Sequence, residues 1–214
     1  MNNSIIHEFP HIPASKSSLS RRKPVFGVGI NDANYITKLK INGKLLTCPY
    51  YRAWKNMIQR CYSTSYKEIN STYNGCTVCS AWLIFSSFKS WMEKQDWKGN
   101  QLDKDITISG NKVYQPNSCI FVSALVNSIL TDAGSIRGKY RIGVIYNKRT
   151  GFQARMSVNG KQQYLGCFES EDKAHKAFLI AKCEYVYLVA KKQVEPIKSS
   201  LIKISKLISQ GHYY

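Results

Sequence analysis

The sequence predicts an α+β fold, in which a mixed strand-and-helix module precedes a three-stranded antiparallel sheet packed on a helix. Three observations carry this. Apolar residues recur at helical spacing within residues 50–62, 80–95 and 170–193. Short apolar runs flank Asn42-Gly43 and Asn159-Gly160, dipeptides suited to the positive φ angles of a tight hairpin turn. The texture then changes at GSIRGK, residues 134–139, which reads as a linker between the two modules.

Taken in order, residues 1–24 are rich in Ser, Pro and Lys/Arg and end in SLSRRKP, a flexible basic arm. A module over 25–134 follows. VFGVGIND and TKLKINGKLLTC read as short strands, with Asn42-Gly43 as a type I′ turn. Pro49 opens a helix whose apolar stripe is Tyr50, Trp54, Met57, Ile58 and Cys61. Residues 63–75 are polar and end in the Asn74-Gly75 turn. TVC leads into a second helix, capped by Ser80 and carrying Trp82, Phe85, Phe88, Trp91 and Met92. LDKDITISGNKVYQPNSCIFV places Asp103 and Asp105 before a Gly-Asn turn and a strand ending at Val122. VSALVNSILTDAG is one more helix, closed near Gly134.

Residues 135–192 hold the three strands, turning at Thr150-Gly151 and Asn159-Gly160. A long helix follows, capped by Ser170, with stripe Ala174, Ala177, Phe178, Ala181, Tyr185 and Leu188. Residues 193–214 form an amphipathic helix and tail. Ile197, Leu201, Ile204 and Ile208 lie on one face and three lysines on the other; docking on the core is expected for the apolar face, with pairing to a partner or lying on a membrane as alternatives.

The charge points to a polyanion. The chain carries 31 Lys and Arg against 13 Asp and Glu, a net +18, and residues 136–214 alone hold 15 against 5. Each phosphate neutralised by such a surface releases a condensed counterion, so nucleic acid is the expected partner. No run of residues is long and apolar enough for a membrane span, and no secretory signal opens the chain. Seven cysteines without such a signal imply a reducing compartment and free thiols, or a metal.

Two blocks carry family resemblances. YRIGVIYNKRTGFQARMSVNGKQQYLGCFESEDKAHKAF resembles the ethylene-response-factor type DNA-binding domain, found also in phage integrases and homing endonucleases. That resemblance implies a three-stranded sheet laid into the DNA major groove and backed by one helix. Carried over position by position, it assigns Arg141, Tyr146, Lys148, Arg149, Arg155, Ser157, Lys161 and Tyr164 to the DNA side. Independently of it, the basic arm and the helix over 50–62, with Arg52 and Lys55, are expected to add backbone contacts. Ile145 stands where the plant members often have arginine.

CPYYRAWKNMIQRCYS, YNGCTVCSAWLIFSSFKSWMEKQDW and LDKDITISGNKVYQPNSCIFV resemble bacteriophage proteins described as HNH-like, which implies a ββα-metal-like frame and a phage protein in the host-cell cytoplasm. The implied chemistry needs a histidine base beside a divalent metal. The frame is degenerate here: the base position carries Lys104, the later Asn position matches Ser118, and no histidine occurs between residues 12 and 174. Lys104 is assigned instead to gripping a phosphate or bridging Asp103 and Asp105. Related modules carry a zinc clasp at the spacing of Cys61, Cys76, Cys79 and Cys119, but TVC reads as strand, where positions three apart face opposite ways. No cofactor and no catalytic residue is therefore assigned.

The favoured expectation is a phage-type protein that binds double-stranded DNA without cutting it. Two alternatives stay open. One is a metal-dependent, homing-like endonuclease with unconventional ligands. The other is an anti-defence protein that inhibits a host nuclease or nucleoprotein complex by competition.

Overall fold

The computed structural model describes residues 9–130 and 139–212. It is α+β, and the chain separates into two compact units. One holds Met1–Lys98 and Leu102–Phe121, the other Gly99–Gln101 and Val122–Tyr214. The division thus falls at residues 121/122, ahead of the boundary expected near 135. The expected linker, and the helix end at Gly134, lie largely or wholly outside the described residues.

The first unit begins with α1 (Lys16–Ser20), capped by the Ser15 side chain. Residues 9–24 are not the loose arm expected. Pro13 bridges Tyr35, and the Arg22 guanidinium donates to the carbonyls of Asn31, Ala33 and Tyr35. A fork of donors aimed at three carbonyls fixes this segment where composition alone reads as flexible. Residues 1–8 of the expected arm lie outside the described residues.

VFGVGIND is likewise no strand. Phe26 and Gly27 take φ of 49° and 81°, folding the chain back so that Val25 and Gly29 bond to each other. β1 (Lys38–Ile41) and β2 (Lys44–Thr47) form the expected hairpin, with Asn42 and Gly43 at φ of 48° and 78°. α2 (Pro49–Tyr62) starts at proline as expected, but Tyr51 rather than Tyr50 joins Trp54, Met57, Ile58 and Cys61 in the core.

α3 (Thr64–Ile69) is a short helix in the stretch expected as polar loop. Its cap is Ser63, and it buries no side chain. β3 (Thr77–Val78) leads into a 3-10 turn at Ser80–Leu83, and then α4 (Phe85–Met92). The expected continuous helix is broken because Ile84 is extended and bridges Ile30. Ser80 therefore caps nothing. Asp32 does that work, accepting from the Ser86 N–H at 2.9 Å and from its hydroxyl at 2.5 Å.

β4 (Gln101–Asp103) pairs with β6 (Ile120–Val122), and β5 (Val113–Tyr114) runs parallel to β3. Trp54, Phe85, Phe88, Trp82 and Tyr114 fill the first core, and the Trp54 indole donates to the Trp82 carbonyl at 2.7 Å.

α5 (Ala124–Leu130) belongs to the second unit. There β7 (Val144–Asn147), β8 (Gly151–Val158) and β9 (Lys161–Phe168) form the antiparallel sheet in that order. α6 (Glu171–Ala190) backs it, capped by Ser170 as expected, and α7 (Ile197–Ser209) packs on α6 through Leu201, Ile204 and Ile208. α6 buries Ala174 and Phe178, then Lys182, Val186, Val189 and Ala190; Leu188 of the expected stripe is exposed. The stripe turns around the helix, which packs against both the sheet and α7. Among the described residues, no helix is long and apolar enough to cross a membrane.

Candidate nucleic-acid interface

The register of the sheet decides which side chains share a face. Val144, Phe152, Ala154, Met156 and Phe168 belong to the helix side, where Val144, Ala154 and Ala174 form a core cluster. Gly143 makes this packing possible. It sits at φ 78°, and a Cβ there would lie 2.1 Å from the Phe178 ring.

The opposite face presents Ile145, Gln153, Arg155, Ser157, Gln162 and Tyr164. Arg155 stands opposite Tyr164, and Ser157 opposite Gln162. Tyr164 is 57% exposed. The Arg155 guanidinium donates to Gln153 Oε1 at 2.9 Å, and the Gln153 amide in turn donates to Thr150 Oγ1 at 2.7 Å. This chain of bonds holds the arginine over the sheet. Lys148 and Arg149 project from the β7–β8 turn, both exposed. From Val144 to Phe168 the chain has four basic residues and no acidic one.

Three assigned residues are not on that face. Tyr146 is opposite Phe152 and contacts its ring at 5.1 Å, so it lies at the helix-side edge. Lys161 is opposite Val158, also on the helix side, because a two-residue turn at Asn159-Gly160 fixes that pair. Arg141 pairs with Asp172 at 2.9 Å, and its N–H donates to Glu171 at 2.6 Å, tying it to the start of α6.

Gln153 and Gln162 were missed. Stepping one residue on from the helix-side Val158–Lys161 pair gives the outward Ser157–Gln162 pair and would have found Gln162. A bulge between Ala154 and Arg155 shifts the phase of β9, so that Phe168 rather than Cys167 joins Leu165 in the packed cluster, which simple alternation from Lys161 does not foresee.

In the first unit, Arg52 on α2 is exposed, while Lys55 is half-buried with its ammonium 6.0 Å from the Phe26 ring centre. Of its two expected roles, Lys104 makes the carboxylate contact. It is 6% exposed, and its ammonium lies 2.7 Å from Asp105 Oδ2. Burial alone pushes the ammonium down, but the bond to Asp105 and the neighbouring acidic charges outweigh it and hold the group above its ordinary value.

Asp103 Oδ1 accepts the N–H groups of Asp105 at 3.0 Å and Ile106 at 2.7 Å. Burial and the charge of Asp105 raise its carboxyl nonetheless. Asn111 clamps the same loop, donating to the carbonyls of Lys104 and Val113, and the Ser118 hydroxyl also donates to Val113. The polar groups of residues 103–118 thus brace a loop.

Burial pushes the Cys61 and Cys119 thiols up to about 12, as inert structural thiols require. Cys76 is buried and Cys79 only partly so. Among the described residues, no three His, Cys, Asp or Glu side chains are grouped to hold a metal ion. No family model, curated protein or solved structure matches the chain.

Proposed function

We propose that this protein binds duplex DNA, without cutting it, through the face of the three-stranded sheet turned away from α6. The observation that carries this is the Arg155–Tyr164 pair, exposed beside the Lys148-Arg149 turn on a sheet with no acidic residue. Arginine offers a fork of donors to phosphate or guanine, tyrosine a flat ring and a hydroxyl, and Ser157 and Gln162 further hydrogen bonds. A strand ribbon of this width suits the major groove. The resemblances in the sequence support the same reading, including its phage character.

A cutting role is not part of it. The base position is a lysine whose proton is stabilised by Asp105, and Asp103 already serves two backbone donors.

A mobility-shift titration with duplex DNA, followed by a denaturing gel with Mg²⁺ or Mn²⁺, tests the reading. The expected result is a shift without strand breaks. Neutralising roughly five to eight phosphates weakens it by about two to four orders of magnitude between about 50 and 200 mM salt. No shift at low salt, or metal-dependent nicking by this protein, contradicts it.

A further inference from the structure

The first unit contains a cavity of about 370 Å³ with an aromatic lining, unrelated to the sheet. One wall is set by the extended segment before α1. His11 lies against Tyr35, with ring centres 4.8 Å apart, and Phe9 flanks them. The bonds Ile36 N–H to Ile12 and Ala14 N–H to Asn34, with Arg22 on the Tyr35 carbonyl, hold this wall in place. The other wall is Tyr50 at the start of α2 and Trp97, 5.0 Å between ring centres.

Two ammonium groups complete the lining. Lys89 sits 5.2 Å from the Tyr50 ring centre and also pairs with Glu93, and Lys98 sits 6.0 Å from the Trp97 ring centre. Among the described residues that line the cavity there is no carboxylate, and Glu93 reaches it only as the partner of Lys89. Tyr35 Oη is itself fully buried beside the Cys48 thiol, so Tyr35 lines the cavity with its ring.

Each feature narrows the ligand. Flat rings in the lining favour a planar aromatic group, since bases stack on such rings whatever their identity. Two lysines at the same cavity oppose a cationic ligand and favour an anion. The volume lies within the usual range for a bound small molecule.

We infer that this cavity is a nucleotide pocket, holding a base between the rings and the attached phosphate near Lys89 and Lys98, whether the nucleotide is free or part of a strand. It stands apart from the sheet reading: a chain whose sheet failed to bind duplex would still have this pocket.

The test is calorimetric titration of the full chain with AMP, with a short oligo(dT), with inorganic phosphate and with octanoate. Saturable binding of AMP or the oligonucleotide with Kd below about 1 mM, and none of phosphate or octanoate, is expected. AMP alone identifies a free nucleotide as the source, and the oligonucleotide alone a strand.

Trp97→Leu and Lys98→Glu should each weaken it by about tenfold or more, while Lys40→Glu on the exposed hairpin leaves it unchanged. Binding of neither nucleotide probe, equal binding of octanoate, or full affinity in both Trp97→Leu and Lys98→Glu would overturn the pocket.

Discussion

The Lys104 ammonium lies 2.7 Å from the carboxylate of its own neighbour Asp105, and only the lysine end of the pair is buried. Lys104 side-chain exposure is 8% against 45% for Asp105. This asymmetry predicts unequal costs for breaking the pair. Lys104→Met leaves a carboxylate that water can solvate, and should cost about 1 kcal/mol or less. Asp105→Asn strands a buried ammonium, and should cost about 2–3 kcal/mol, below the full penalty of a deeply buried pair. Urea denaturation of both variants measures the difference; equal losses would contradict the assignment. Because the Lys104 proton is held more tightly in the folded state, this contribution is complete below the unfolded lysine pKa. It fades as pH rises through the higher folded value.

Asp103 gives a second test. Its carboxyl is raised by burial and by Asp105, so its charge is a cost, whereas its Oδ1 accepts two backbone N–H groups. Asp103→Asn keeps the acceptor and removes the charge, and should be neutral or stabilising at pH 7. Asp103→Ala removes the acceptor and should cost about 1–2 kcal/mol. A metal-ligating role predicts instead that both variants lose a metal-dependent activity together.

Gly143 tests the packing behind the sheet. Gly143→Ala would force a methyl into the Phe178 ring at positive φ, and should destabilise the second unit by an amount on the order of 2–5 kcal/mol. Gly110→Ala, at φ 72° but with open space around it, should cost only the backbone strain, about 1–2 kcal/mol. Thermal unfolding followed by circular dichroism separates the two. Similar melting temperatures would place Gly143 away from Phe178.

Lys182 is buried between α6 and α7 at 7% exposure, and desolvation lowers its pKa from 10.5 to about 8. Between those values the unfolded chain holds a proton that the folded chain has released, so stability rises with pH across that window. Lys182→Met should therefore be more stable than wild type at pH 7, by up to about 3 kcal/mol, with the gap shrinking toward pH 10. A gap that does not change with pH would contradict the burial of a neutralising lysine.

Much of this architecture was legible in the sequence, and the failures share a cause. The Asn-Gly turns, the Pro49 helix start, the Ser170 cap and the docking face of α7 depend on local chemistry and were read correctly. The break at Ile84, the clamp of Arg22 and the capping of α4 by Asp32 depend on partners distant in sequence, which no local pattern announces. Lys104 and Lys182 were missed as interior residues because lysine is ordinarily a surface residue. At the sheet, Arg155, Ser157 and Tyr164 were placed by alternation. Tyr146 and Lys161 were misplaced because register, set by turn length, overrides resemblance.

The central claim is that Arg155 and its neighbours on the sheet's outer face hold duplex DNA. Fluorescence anisotropy of a labelled duplex, titrated across a salt series with wild type and with the Arg149→Ala, Arg155→Ala double variant, tests it most directly. Both side chains are exposed, so the melting temperature should not change. The account predicts about tenfold or greater loss of affinity and a salt slope shallower by about two. A double variant that binds with wild-type affinity and slope would contradict it.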